Sequence, residues 1–342
     1  MKIAVDAMGG DNGPHVIVEG VLKAVEEYNV SIVLVGDEQR INEALHHHGT
    51  SGKVSVIHAP EIVEMRESPA TAVRRKKNSS IVKATQLVKS GEADAVISAG
   101  STGASMASAL LSLGRIKGID RPAIAVVLPT EQGFTLLLDI GANVDCKPNN
   151  LYQFGMMGSL YAERIMGVKN PKVGLLSNGE EENKGNETNL AVFPMLKNSG
   201  INFVGNVEGG DIFRGVVHVL VCDGFMGNIV LKTSEGLAVS LFKILKEEIS
   251  KSSLAQLGLL LASRALKGFQ RRVDYDEYGG APLLGVNGVS VICHGRSSAK
   301  AIKNAIRVAM ESVDNCLPGA IRDTFTSVEN REVERANAQR SS

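Results

Sequence analysis

The run Ser98-Ala99-Gly100-Ser101-Thr102-Gly103 has the residue types of an anion site. Two glycines let the backbone turn tightly. Ser101 or Thr102 can cap the helix that follows, whose first N–H groups then point outward with the positive end of the dipole behind them. A phosphate or a developing oxyanion fits such a turn. So does an ordinary capped strand-to-helix junction, because glycine-rich turns have many uses. Other strand ends repeat the theme. Asp6 leads into Gly9, Gly10 and Asp11, where it can orient a catalytic group, hold a cation or simply cap the turn. Asp139 and Asn143 frame Gly141, and residues 223–228 again offer Asp, Gly and Asn228. Lys184 lies beside Glu180, Glu181 and Glu182, so its amine can meet an anion or pair with Glu181. The glycines after Asp6 are not spaced GxGxxG, which argues against a dinucleotide site. Cys222 has no histidine near it in sequence, and Cys293 and His294 are adjacent and so point to opposite faces of a strand; no thiol nucleophile emerges.

The elements that must hold these loops alternate β and α. Strands are predicted at residues 2–5, 31–35, 54–58 and 94–98, with helices at 14–28, 38–47, 81–89 and 104–113 between and after them. Residues 123–128 and 134–138 form a hairpin, and the alternation then resumes from a helix at 148–166 to a closing helix at 297–313. The reading is an α/β protein with a doubly wound, mostly parallel sheet joined by right-handed crossovers. Residues 1–320 would form this α/β part, as one unit or as two lobes about a cleft, with a protruding amphipathic element at 250–272 and a polar tail at 321–342.

The 342 residues hold 37 Lys+Arg and 37 Asp+Glu, so no global field recommends nucleic acid as a partner. Aromatic residues are only 4%, and burial must rest on Val, Ile, Leu, Ala and Met. Four separated cysteines without a CxxC, after an opening Met1-Lys2-Ile3 with no secretory leader, read as reduced cytosolic thiols and not as a zinc site. No apolar run is long enough to span a bilayer. Two surface features remain. Arg74, Arg75, Lys76 and Lys77 are consecutive, either a solvated helix end or a basic surface for an acidic partner. Residues 254–269 crowd Leu257, Leu259, Leu260 and Leu261 ahead of Arg264, Lys267, Arg271 and Arg272. That pattern suits either packing or insertion at the headgroup boundary of an anionic membrane.

Taken together and in this order, residues 5–11 (VDAMGGD), 98–103 (SAGSTG), 139–143 (DIGAN), 180–185 (EEENKG), 223–228 (DGFMGN) and 280–285 (GAPLLG) closely resemble the PlsX family of bacterial acyl-acyl-carrier-protein:phosphate acyltransferases. The resemblance runs from residue 1 to about residue 320. It implies a fold similar to phosphotransacetylases and isocitrate-dehydrogenase-like enzymes, a homodimer, and a cytoplasmic enzyme attached peripherally to the membrane. The implied reaction joins the acyl group of an acyl-carrier protein to inorganic phosphate, with no cofactor and no metal. Phosphate is then the nucleophile, and the protein has to position an anion and stabilise an oxyanion. The expected phosphate set is Ser101, Thr102 and Gly103 with Gly9, Gly10 and Asn143. Lys184 would neutralise charge, Asn228 would donate nearby, and Asp6 and Asp139 would fix or orient these groups. Arg74–Lys77 or the 264–272 cations would receive the acidic carrier. A dehydrogenase of similar fold and a non-catalytic membrane scaffold are the alternatives.

Overall fold

The computed structural model describes residues 1–262, 268 and 275–340. Its centre is one sheet. The first strands are β1 (Lys2–Asp6), β2 (Ser31–Gly36), β3 (Val54–His58), β4 (Ala95–Ser98) and β5 (Ala123–Thr130). They are followed by β6 (Gly133–Leu138), β7 (Val173–Ser177), β8 (Phe203–Glu208), β9 (Val219–Val221), β10 (Ala281–Leu284) and β11 (Val289–Ile292). Their order across the sheet is β3-β2-β1-β4-β11-β10-β5-β6-β9-β7-β8. Pairing is parallel everywhere except β11–β10, β10–β5 and β5–β6. The mostly parallel α/β reading therefore holds.

Those antiparallel contacts fix where the strand ends lie. β11 runs with β4, β10 runs against both β11 and β5, and β6 turns back on β5 through the hairpin. Consequently β1, β4 and β11 end at one edge of the sheet, while β6, β9 and β7 end at the other.

Helices cover both faces, as strands buried on both sides require. On one face Ile3 and Val5 of β1 pack with Ile17 and Val21 of α1 (Gly13–Glu27) and with Ile302 and Ile306 of a late helix, Ala299–Asp314. On the other, Ala4 and Val96 meet α4 (Ser80–Lys89) and the alanines of α5 (Thr102–Ser112). Between these in sequence stand α2 (Glu38–His48) and α3 (Pro69–Arg75). The small side chains Ala104, Ala107 and Ala109 bring α5 close to the strands.

A second core lies beyond β10. Phe154 and Met157 of α6 (Pro148–Arg164) are fully buried against Leu136, Leu138, Val173 and Leu175. The remaining helices are α7 (Glu187–Lys197), α8 (Gly224–Ser250), α9 (Ser253–Leu261), α10 (Ala299–Asp314) and α11 (Leu317–Arg340). α11 departs from the expected polar tail. Leu317, Ile321 and Phe325 recur at i, i+4 and i+8, and this stripe is buried in the second core, so the chain stays helical through Arg340. α8 starts at Gly224 because Asp223 caps it, accepting from the Met226 N–H at 2.8 Å.

Phe154 has no exposed surface and anchors the second core. Phe154→Ala is expected to destabilise the protein by about 3–5 kcal/mol. A urea melt followed by far-UV circular dichroism should show a clearly lower midpoint; an unchanged midpoint would mean that this core does not limit stability.

Candidate functional site

The ends of β1 and β4 build a floor under the N-terminus of α5. Ser98 donates its hydroxyl to Asp6 Oδ2 at 2.7 Å and accepts from the Gly100 N–H at 3.1 Å; Asp6 Oδ1 accepts from the Met8 N–H at 3.2 Å. The turn is close because it is made of glycines. A Cβ on Gly9 would stand 2.4 Å from the Gly100 nitrogen, so nothing larger lets the two loops touch. Gly10 adopts φ +89° where the next residue, Asp11, donates its N–H to Gly295 after β11. Ser101 caps α5, its hydroxyl accepting from the Ala104 N–H at 3.4 Å. Thr102 is exposed on the first turn. Gly103 makes room for α3, since a Cβ there would meet the Pro69 ring at 2.6 Å.

Above this floor lies a small, partly open pocket. Ser80 and Ile81 from α4 and Ile62 and Val63 from the loop after β3 form its walls. Asp6, Ser98, Ser101 and Ser105 supply its polar groups. Ser105 is buried and its hydroxyl has no hydrogen-bond partner. Such an orphan is uncommon in a folded interior, and an ordered water or a ligand's polar atom can satisfy it. Sequence reasoning passed over Ser105 and Ser80. Ser105 stands four residues after Ser101, on the same face of α5, and that spacing was the available signal.

Burial raises the pKa of Asp6 above the ordinary aspartate value; the hydroxyls of Ser80 and Ser98 and the Met8 and Gly9 N–H groups pull it partly back. Burial likewise pushes the Cys146 and Cys293 thiols up to about 12 and the Cys222 thiol well above its ordinary value, so none of them is poised as a thiolate.

The second set of expected residues gathers at the opposite edge of the sheet. Asp139 is fully buried and accepts from the N–H groups of Ile124 (3.0 Å), Ala142 (3.2 Å) and Asn143 (2.7 Å) and from the Asn143 side chain (3.0 Å). Burial nonetheless leaves its pKa raised. Asn143 gives its other amide hydrogen to the Pro122 carbonyl at 2.7 Å, so both side chains are committed to the loop. Gly227 presses on the same loop: a Cβ there would fall 1.8 Å from the Asp139 carbonyl oxygen. Asn228, one residue on, is exposed beside Gly141. Lys184 lies over Gly179 in the loop after β7, exposed, and among the described residues its amine has no ion pair. Neighbouring strands are about 4.8 Å apart, so the four steps from β4 to β6 offset the two sets by about 19 Å across the sheet, in addition to the strand length between its two edges. They are linked through α5: Ile140 and Ala142 pack on the apolar cluster that includes Met106 and Ala109.

The basic run divides. Arg74 and Arg75 close α3 and, like Lys77, are exposed. Lys76 is used within the fold: its amine pairs with Glu67 and donates to the Ile62 carbonyl at 2.7 Å, pinning the pocket wall. Leu257, Leu259 and Leu261 are exposed on α9, and the Leu260 side chain lies outside the described residues. Arg264, Lys267, Arg271 and Arg272 also lie outside the described residues. No helix among the described residues is long and apolar enough to cross a membrane, and none of their His, Cys, Asp and Glu side chains cluster as a metal site.

Residues 1–318 match the model of a family described as fatty acid synthesis protein. A phosphate acyltransferase from Pelotomaculum thermopropionicum is 66% identical over 329 residues, covering 96% of each chain. One from Desulforamulus reducens is 57% identical and covers 95% of this chain and 97% of its own. Among solved structures, a phosphotransacetylase from Streptococcus pyogenes superposes with a TM-score of 0.61 at 18% identity, covering 92% of this chain and 94% of its own. A branched-chain phosphotransacylase from Enterococcus faecalis does so at 0.59 and 17%, covering 91% and 99%. These structures share the fold.

The raised pKa of Asp6 has a sign. From the ordinary value of 3.8 up to the raised one, the folded protein holds more proton than the unfolded chain, and stability falls as pH rises through that window. Asp6→Asn removes this dependence. Thermal melts of both proteins from about pH 4 to 8 should show the difference in melting temperature moving in favour of the variant as pH rises. A difference that stays constant with pH would contradict the burial cost assigned to Asp6.

Proposed function

Because this chain belongs to the fatty acid synthesis protein family, to which residues 1–318 match, we propose that it is a phosphate acyltransferase that moves a fatty acyl group from acyl-carrier protein to inorganic phosphate, yielding an acyl phosphate for phospholipid synthesis. The observation that carries the reading at the level of the site is the anion-type pocket under α5, with its cap, its glycine turn and its orphan hydroxyl. A phosphate oxygen attacks the thioester carbon, the carbon–sulfur bond breaks, and the thiolate leaves with the carrier. The reaction needs no enzyme nucleophile, and the buried thiols match that economy of groups.

In this reading Ser101, Thr102 and Gly103, with the Gly9–Gly10 loop beside them, hold the phosphate, and Asp6 orients the hydroxyl floor. Asp139 and Asn143 are positioning residues that shape the loop beneath Asn228. Lys184 and Asn228 present an amine and an amide at the other edge of the sheet, where they hold a part of the carrier-bound substrate remote from the reacting carbon. Arg74, Arg75 and Lys77, with the 264–272 cations, receive the acidic carrier. The exposed leucines of α9 rest on an anionic membrane surface, giving a cytoplasmic enzyme held peripherally. A second copy of the chain covers α8, whose Leu237, Val239, Leu241 and Ile244 are each more than half exposed along a 27-residue helix. The dehydrogenase and scaffold alternatives gain nothing from the relatives' names.

Incubating a long-chain acyl-carrier protein with the enzyme should release carrier thiol only when phosphate is present, and hydroxylamine should trap the acyl phosphate as a hydroxamate. Release without phosphate would replace the transferase by a thioesterase. Lys184→Ala decides which edge of the sheet carries the chemistry: a loss of about 100–1,000-fold in turnover would put the oxyanion beside Lys184 and move the phosphate out of the pocket under α5. A folded variant with full turnover would remove Lys184 from the chemistry. Leu257→Glu with Leu261→Glu should release the protein from anionic vesicles and spare turnover on soluble substrate; unchanged vesicle binding would return those leucines to protein packing.

A further inference from the structure

The polar groups of the pocket under α5 are unevenly divided between donors and acceptors. Ser105 brings a buried hydroxyl with no partner. Ser101, the cap of α5, and Ala104 in its first turn line the same space, at the positive end of the helix dipole. Among the described residues that line it there is no lysine or arginine, so an anion here is held by neutral donors. At the floor stands Asp6, 3% exposed; its Oδ1 accepts from the Met8 N–H and its Oδ2 from the Ser98 hydroxyl, and the Ser80 hydroxyl and the Gly9 N–H also face the carboxyl. A carboxylate has only acceptor sites, so a ligand that takes the place of one of these donors must bring its own hydrogen.

From this arrangement we propose that Asp6 is the specificity-determining residue of an oxyanion pocket selective for anions that retain a hydroxyl, with Ser105 as a donor to the same anion. Inorganic phosphate keeps at least one P–OH at neutral pH and can donate it to Asp6 while its other oxygens accept from Ser105 and the α5 turn. Sulfate has the same shape but no proton, so it would set an oxygen against the carboxyl with nothing between them. A site built to receive a hydroxyl rejects the analogue that lacks one far more strongly than a pocket that reads shape alone. The inference rests on the phosphate-transfer reading for its biological meaning, and it adds the means by which the site tells its nucleophile from sulfate.

The test is binding, read apart from turnover: calorimetric titration of the full chain with inorganic phosphate, arsenate and sulfate at matched ionic strength. Phosphate and arsenate, which both carry a hydroxyl at neutral pH, should bind about 100-fold or more tightly than sulfate. Asp6→Asn, which exchanges an acceptor for an N–H donor, should bring that ratio down to about tenfold or less, mostly by strengthening sulfate. Ser105→Ala should weaken phosphate and sulfate alike by about tenfold and leave their ratio intact. Wild-type protein that binds sulfate as well as phosphate overturns the proposal, as does a Ser105→Ala variant with unaltered phosphate affinity, and neither result depends on Asp6→Asn folding. Failure of the transferase reading looks different: phosphate-independent thiol release together with a preserved preference for phosphate would sink the reading and keep the pocket. Phosphate-dependent release that sulfate inhibits at equal concentration would do the reverse.

Discussion

The β5–β6 hairpin is the constraint on which the placement of every candidate group depends. Parallel strands linked by right-handed crossovers deliver all their carboxyl ends to one edge, which is why ligands gather there in doubly wound sheets. Three antiparallel pairings in mid-sheet, β11–β10, β10–β5 and the β5–β6 hairpin, leave that direction reversed beyond β5. The loops after β1, β4 and β11 thus face one way, and those after β6, β9 and β7 face the other. Of the six motifs that look like one site along the chain, five become two sets with α5 between them, and the sixth, residues 280–285, forms β10. The apolar cluster holding Met106 and Ala109 together with Ile140 and Ala142 is the physical link through which one set can sense the other.

Each set is organised by a buried carboxyl group, and the two are used differently. Asp139 takes donors from Ile124, Ala142 and Asn143 and is enclosed completely; its acceptors are consumed in holding a loop against Gly227. It is a scaffold for Asn228, and its desolvation cost is offset by those hydrogen bonds. Asp6 is faced by the Met8 and Gly9 N–H groups and the Ser80 and Ser98 hydroxyls, and it opens onto a pocket. The same residue type at the same kind of strand end is in one place closed inside a loop and in the other set in the floor of a pocket.

This difference marks the boundary of what could be read from the chain. The strands, the hairpin and the cap at Ser101 were legible because each depends on local chemistry: β-branched runs, a turn between two apolar segments, a hydroxyl before a helix. The buried stripe of Leu317, Ile321 and Phe325 was legible in principle, but the polar residues around it dominate the composition of the tail. That Lys76 pairs with Glu67 and holds Ile62 could not be read from four consecutive cations, because its partners are nine and fourteen residues away around a loop. Nor could the reversal of strand direction be turned into two sets of residues without the strand order, which brings β10 and β11 from the far end of the sequence into the middle of the sheet.

Exposure completes the account. α8 shows Leu237, Val239, Leu241, Ile244 and Leu245 to solvent along most of its length, and α9 continues with Leu254, Leu257 and Leu261. Monomeric soluble proteins seldom carry so much contiguous apolar surface, and a helix with this pattern takes its stability from something packed on it. α8 also starts from the Asp223 cap and from Gly227, which lies against Asp139. Whatever covers α8 therefore loads the helix whose first turn carries Asn228. This exposed apolar surface is in this way mechanically continuous with one of the two carboxyl edges, and the pocket under α5 lies on the other.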